Sequence, residues 1–337
     1  MQRSTLGFVL GGIVFAIGSV GCDGSDPARG MSGAGGAGAG GSTPGQAGDR
    51  PLTGTIIYRD VEDGPFPTYR DWYALDLSTR HRELISHGTP ILAPIDAGHA
   101  IVVTSSDESA TFSLEDLKAA TTRPLFLPGR YFDDVKPRVS PDGSTFAFWL
   151  PDEASRNHVE RVRLDALLAL PMPPQGAALL DVPGLATFDD YVDASWAPEG
   201  ALFLAGPSSL AVVANGTPTT FLDHIDNPSA PTFSPDGQRL AFIMSAGATQ
   251  SPTATQSTPQ IYVVNRDGSG LKPLTNTDLV FESLSWGPDP ELLVACHRTI
   301  DTNDHMVLVR MDGSLAPVLD EFGYDMRIQA DRVFWRN

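Results

Sequence analysis

Five stretches of this chain set a ring beside one or two carboxylates: Tyr131-Phe132-Asp133-Asp134, Phe188-Asp189-Asp190-Tyr191, His224-Ile225-Asp226, Phe281-Glu282 and Phe322-Gly323-Tyr324-Asp325. Carboxylates held close together repel one another, so an arriving cation is attracted directly and also relieves that repulsion. An acidic, aromatic-lined mouth of this kind suits a basic peptide, a small cationic ligand or a metal ion. The candidate binding residues are therefore Tyr131, Asp133, Asp134, Asp189, Asp190, Tyr191, Asp226, Glu282, Tyr324 and Asp325. A plainer reading stays open beside it, in which the rings wedge between packed elements and the acids close turns.

Catalytic chemistry leaves no comparable mark. The chain has no Gly-x-Ser-x-Gly elbow, no His-Glu-x-x-His, no phosphate loop and no clustered Cys and His ligands. Its histidines, His81, His87, His99, His158, His224, His297 and His305, are scattered. Asp267-Gly268-Ser269-Gly270 and Asp312-Gly313-Ser314 lack the alternate oxygens of a calcium loop and read as turns. Neither a catalytic residue, a metal ligand nor a cofactor is assigned.

The elements that must position the acids come from a repeat, clearest in residues 231–275. Phe233-Ser234-Pro235-Asp236-Gly237 is a tight corner, because Pro fixes φ, Asp bonds back to its own backbone and Gly takes positive φ. Short β-branched and aromatic runs flank it, among them Leu240–Met244 and Ile261–Val264. They are too brief for helices and bounded by turn residues, so they read as strands. The corner recurs at Val139–Gly143, Trp196–Gly200 and Trp286–Pro290, and in decayed form at Ile95–Gly98. A unit of four short strands (a, b, c and d) repeated without intervening helices is a propeller blade. The Ser-Pro-Asp-Gly corner and the Ile261-Tyr262-Val263-Val264 hairpin with Asp267-Gly268-Ser269-Gly270 resemble the blades of the TolB-type β-propeller family over roughly residues 52–337. That resemblance implies a non-catalytic scaffold in the bacterial envelope. The chain is read as lacking the α/β domain that precedes the propeller in TolB.

The fold expected is all-β: a six-bladed β-propeller of four-stranded antiparallel blades, with a seventh blade left open by the run Val333–Trp335. The first blade has no a strand ahead of it. The C-terminus should supply one and close the ring, with Asp325–Gln329 carrying the character of that strand. In blade three the d strand is placed at Ala178–Leu180. Pro124, Pro273 and Pro317 fall in d strands, where an outer edge tolerates a missing donor. In such meanders the b–c and d–a loops share one face. The long segments Val61–Arg70, Pro151–Asn157, Ser245–Gln260 and Arg298–Asp304 are b–c loops, and the five ring-and-acid stretches are read as d–a loops. Binding is expected on that face.

Ahead of the propeller, residues 1–21 carry one charge, Arg3, and an apolar run, Gly7–Val20, short of the ~20 residues that a membrane span needs. This reads as a secretory signal peptide. Ser19-Val20-Gly21-Cys22 resembles a bacterial lipobox, which assigns lipidation to Cys22. Residues 22–51 are rich in Gly, Ala and Ser and form a flexible tether with a reach of roughly 30 Å. The other cysteine, Cys296, lies in an apolar run and is expected as a buried thiol without a disulfide. A formal charge of -18 excludes nucleic acid as a partner. The expected protein is a monomeric, exported lipoprotein of the cell envelope, placed at the outer membrane. It would touch the membrane through its lipid only and bind an envelope protein or peptide, or a small cationic ligand, by its loop face. The alternative is a propeller hydrolase or lyase acting on polysaccharide or peptide.

Overall fold

Short strands dominate because few segments exceed seven residues before a turn residue interrupts them. The computed structural model describes residues 52–59, 71–86, 91–96, 98–106, 109–116, 119, 121–126, 137–151, 157–171, 173–174, 182–245, 258–298, 304–319, 327–328 and 333–336. All belong to one compact unit, Arg50–Asn337, the other unit being Met1–Asp49. Blade one contains β1 (Thr55–Arg59), β2 (Trp72–Asp76) and β3 (Arg82–Ser86). Blade two is β4 (Ile91–Pro94), β5 (His99–Ser106), β6 (Ser109–Asp116) and β7 (Thr121–Phe126). Blade three is β8 (Arg138–Val139), β9 (Thr145–Pro151), β10 (Asn157–Arg163) and, after the short helix α1 (Leu164–Leu168), β11 (Ala186–Asp189). Blade four is β12 (Asp193–Trp196), β13 (Leu202–Ala205), β14 (Ser209–Ala214) and β15 (Thr217–Asp223). Blade five is β16 (Ser229–Phe233), β17 (Arg239–Ser245), β18 (Pro259–Asn265) and β19 (Lys272–Pro273). Blade six is β20 (Val280–Trp286), β21 (Leu292–Arg298), β22 (Asp304–Arg310) and β23 (Leu315–Pro317), followed by β24 (Arg327–Ile328) and β25 (Val333–Arg336). Each blade is an antiparallel sheet in the order a-b-c-d, and there are six.

Closure is made by β25, which pairs with β1 as the a strand of blade one (Ile56 opposite Trp335, Ile57 opposite Phe334). This corrects the placement of that strand at Asp325–Gln329 and removes the seventh blade. Arg327 and Ile328 instead pair with His305 and Asp304 of β22. The reason is an open edge: β23 covers only Val307–Val309 of β22, which leaves the beginning of that strand to be paired by a later segment. The d strand of blade three is also corrected. It is β11, paired with β10 from His158 to Arg161, whereas residues 178–180 lie outside the described residues. Phe188-Asp189 therefore stands in a strand, as does Phe281-Glu282 in β20. Pro124, Pro273 and Pro317 do fall in outermost strands.

The core is divided among the blade interfaces. Alternate residues of β21 show why its sequence is apolar throughout: Leu293 and Ala295 pack toward blade five, Leu292, Val294 and Cys296 toward blade one. Both faces of the sheet are buried, so no polar alternation survives. Between blades two and three, Phe112, Phe126, Phe146 and Phe148 stack, with Phe112 and Phe126 centroids 4.2 Å apart. Cys296 is fully buried and forms no disulfide. At the corners, Ser234 Oγ donates to Asp236 Oδ1 (2.6 Å) and accepts from Arg239 N (2.9 Å), while Gly237 sits at φ +68. Ser140, Asp142 and Gly143 repeat that arrangement in blade three.

Candidate functional site

The strand pairing puts b–c and d–a connections on one face of the ring. Two d–a connections are described around blade four, residues 190–192 ahead of β12 and 224–228 ahead of β16. Between them lies the b–c hairpin of blade four, residues 206–208. Ile225 N donates to Ser208 O (3.1 Å) and Asn227 N to Pro207 O (3.0 Å), which fixes one side of the hairpin. Asp190 and Tyr191 press on its other side: a methyl group on Gly206 would lie 3.3 Å from Asp190 O and 3.4 Å from the Tyr191 ring. Ser245 N, at the end of β17, donates to Asp226 O (3.2 Å). Asp190, Tyr191 and Asp226 are thus gathered around one hairpin by contacts from blades three, four and five.

The local backbone is unusual and the residue types explain it. Asp190, His224 and Asn227 have φ of +68, +57 and +48, and Asp, Asn and His tolerate the left-handed region better than other L-residues. Asp190 and Asp226 are exposed, so their charges face solvent. Tyr191 is half-buried against the core between blades three and four. Burial, and then the Asp190 charge, push its hydroxyl pKa upward.

Asp189 and Glu282 are placed differently. Asp189 ends β11 opposite His158. Glu282 is half-buried and ion-paired with Arg298 (3.0 Å), so its charge is compensated locally. Tyr131, Asp133, Asp134, Tyr324, Asp325 and Cys22 lie outside the described residues. The long b–c segments fall where they were expected, each linking a b strand to a c strand, although their interiors also lie outside. Among the described residues no group of three or more His, Cys, Asp or Glu is arranged to hold a metal ion. Asp267 accepts from Ser269 N (2.9 Å) and Ser269 Oγ (2.6 Å), and Asp312 from Ser314 N (2.8 Å), so both Asp-Gly-Ser sequences are turns.

Two charged groups of the inner and middle strands escaped sequence reasoning. Asp193, 3% exposed, opens β12 and accepts from Ala194 N (2.8 Å) and from Ala230 N of the next blade (3.0 Å). Arg138 of β8 brings Nη2 within 3.7 Å of Asp193, and its carbonyl accepts from Trp196 Nε1 (2.9 Å). The innermost strands of blades three, four and five are thereby tied around one carboxylate. Ala230 has φ +48, which costs an alanine about 1–2 kcal/mol, and Asp193 holds its N–H. The second group is Glu160, buried in β10 beside His158. In the sequence, Asp193 looks like one more acid after Asp189 and Asp190, and nothing marks Arg138 as its partner.

No protein-family model and no curated protein matches the chain. Among solved structures, TolB from Acinetobacter baumannii superposes with a TM-score of 0.59 at 16% identity, over 84% of this chain and 66% of that one. This chain therefore spans just under two thirds of that protein. A TolB-type structure from Agrobacterium tumefaciens gives 0.53 at 13% identity, over 84% of this chain and 98% of that one. The propeller domain of the trilobed protease from Pyrococcus furiosus gives 0.52 at 8% identity, over 79% and 81%. The fold is that of a TolB-like six-bladed propeller.

Proposed function

We propose that this chain is a non-catalytic protein of the bacterial cell envelope, lipid-anchored at Cys22. Its propeller binds a basic segment of an envelope protein or peptide, or a small cationic ligand, through the face carrying Asp190, Tyr191 and Asp226. The observation that carries this reading is the grip on the hairpin 206–208, which holds the connection bearing Tyr191 and the exposed Asp190 on one side and the connection bearing the exposed Asp226 on the other. Sites held by packed elements keep their geometry, so little ordering is lost when a ligand arrives. Residues 127–136 link β7 to the innermost strand β8, and residues 320–326 link β23 to β24. Tyr131, Asp133, Asp134, Tyr324 and Asp325 would extend the acidic rim from there.

The anchor reading rests on Ser19-Val20-Gly21-Cys22 and the Gly-rich tether after it. Among the described residues no helix is long and apolar enough to cross a membrane. We assign the protein to the outer membrane as a monomer, with no nucleic-acid partner because of its net charge of -18. Cys22→Ala should move the protein from the membrane fraction to the soluble fraction. Unchanged partitioning, or native protein without acyl chains by intact mass, contradicts the anchor. A pull-down from envelope extract should retain a partner with the parent and lose it with Asp190→Asn plus Asp226→Asn. Turnover of a polysaccharide or peptide by the purified parent would favour the hydrolase or lyase reading instead.

A further inference from the structure

We propose that Glu160 and Thr187 form a pH-responsive latch that holds the outer strand of blade three, β11, while Glu160 is protonated and favours its release once Glu160 ionises. Glu160 sits in the middle of β10, 3% exposed, opposite Phe148 of β9 and Thr187 of β11. The Thr187 hydroxyl lies 3.0 Å from both carboxyl oxygens, and His158 Nε2 lies 3.4 Å from Oε1. β11 is an edge strand of four residues, paired with the rest of the blade only through β10. Such short edges open locally at far less cost than the core.

Residues paired across strands share a face of the sheet, so His158, Glu160, Thr187 and Asp189 all stand on one side of blade three. Among the described residues, the titratable or charged groups facing Glu160 are His158 on its own strand and Asp189 on β11. β9 presents Phe148 there, packed against Phe112 and Phe126 of blade two, which are apolar. An ionised Glu160 would lose hydration in this setting and would stand near a second carboxylate. Burial pushes its pKa up to about 7, with the Thr187 hydrogen bond opposing and Asp189 adding to the rise.

The sign follows from linkage. A carboxyl that binds its proton more tightly when buried stabilises the closed strand fully below its ordinary range, and that contribution is lost as pH rises toward 7. Opening of β11 should become easier between about pH 4.5 and 7 and change little above that. β11 runs directly into Asp190 and Tyr191, so its release loosens one wall of the blade-four hairpin.

Hydrogen exchange on the full chain tests this, with rates corrected for the intrinsic pH dependence. Amides of residues 187–189 should lose at least about tenfold in protection between pH 5 and 7.5. Those of β15, the corresponding outer strand of blade four, should not. Glu160→Gln should flatten the response, and Asp189→Asn should reduce it. Equal pH dependence in β11 and β15, or an unchanged response in Glu160→Gln, overturns the proposal. If Glu160→Gln fails to fold, the comparison of β11 with β15 in the parent and in Asp189→Asn decides.

Discussion

Surroundings separate the aspartates of the turns from the buried Asp193 and the exposed Asp190 and Asp226. At the corners and hairpin turns the aspartates accept hydrogen bonds from nearby serines: Ser78 and Thr79 N at Asp76, Ser140 and Ser144 at Asp142. Serine hydroxyls and backbone N–H groups lower both pKa values to about 2. A lowered folded-state value means that these groups contribute stability above their ordinary value of 3.8, which is lost as pH falls toward 2. Acid melting curves of the parent should therefore steepen below pH 4, and Asp76→Asn plus Asp142→Asn should flatten them. A double variant with the parent's acid sensitivity would mean that the turn hydrogen bonds contribute nothing. Glycines at the same turns also differ. Gly313 and Gly200 both have positive φ, so an alanine at either costs about 1–2 kcal/mol. At Gly313, however, a Cβ would lie 2.5 Å from Leu274 O, whereas at Gly200 it would meet open space. Thermal melts should show Gly313→Ala losing clearly more than Gly200→Ala. Between blades four and five, Arg266 lies 5.0 Å from the centroids of both Phe203 and Phe233 and pairs with Glu199. Two cation–π contacts from a partly exposed guanidinium to buried rings and a surface ion pair together stabilise by about 1–2 kcal/mol, so Arg266→Ala should lower the melting temperature by a few degrees.

At the scale of elements, the ring depends on a strand contributed by the other end of the chain. Removing residues 333–337 takes away β25, exposes the inner edge of β1 and opens the interface between blades one and six. This truncation should unfold or severely destabilise the domain, and urea melts read it directly. A truncated protein that melts within a few degrees of the parent would contradict the closure. The strands themselves were legible because apolar runs bounded by Ser-Pro-Asp-Gly or Asp-Gly-Ser leave few other choices. Edge pairing was not. Whether Asp325–Gln329 or Val333–Arg336 completes blade one depends on the open edge of β22, which no local pattern records. The d strand of blade three was missed for a similar reason. The segment from Asp165 onward offers two apolar candidates, and only long-range pairing with His158–Arg161 selects Ala186–Asp189.

For the whole molecule, the ring arranges the candidate site by topology rather than by motif. Asp190, Tyr191 and Asp226 were legible as a recurrent ring-and-acid pattern, and the hairpin 206–208 supplies the physical link between them. Glu282 shares the pattern but is compensated by Arg298, a partner that only the fold brings near. Asp193 and Arg138 were illegible because their meaning lies in contact between blades. The central claim is that the acids of the loop face bind cations rather than only closing turns. Calorimetric titration of a short lysine- and arginine-rich peptide into the parent, at low and at high salt, tests it most directly. The account predicts binding at low salt that weakens as salt screens the charges, and its loss in Asp134→Asn, Asp190→Asn, Asp325→Asn. Asn tolerates the positive φ of Asp190, so at that position the change removes charge without removing a turn former. Binding by the triple variant equal to that of the parent would contradict the claim and leave these acids as turn residues.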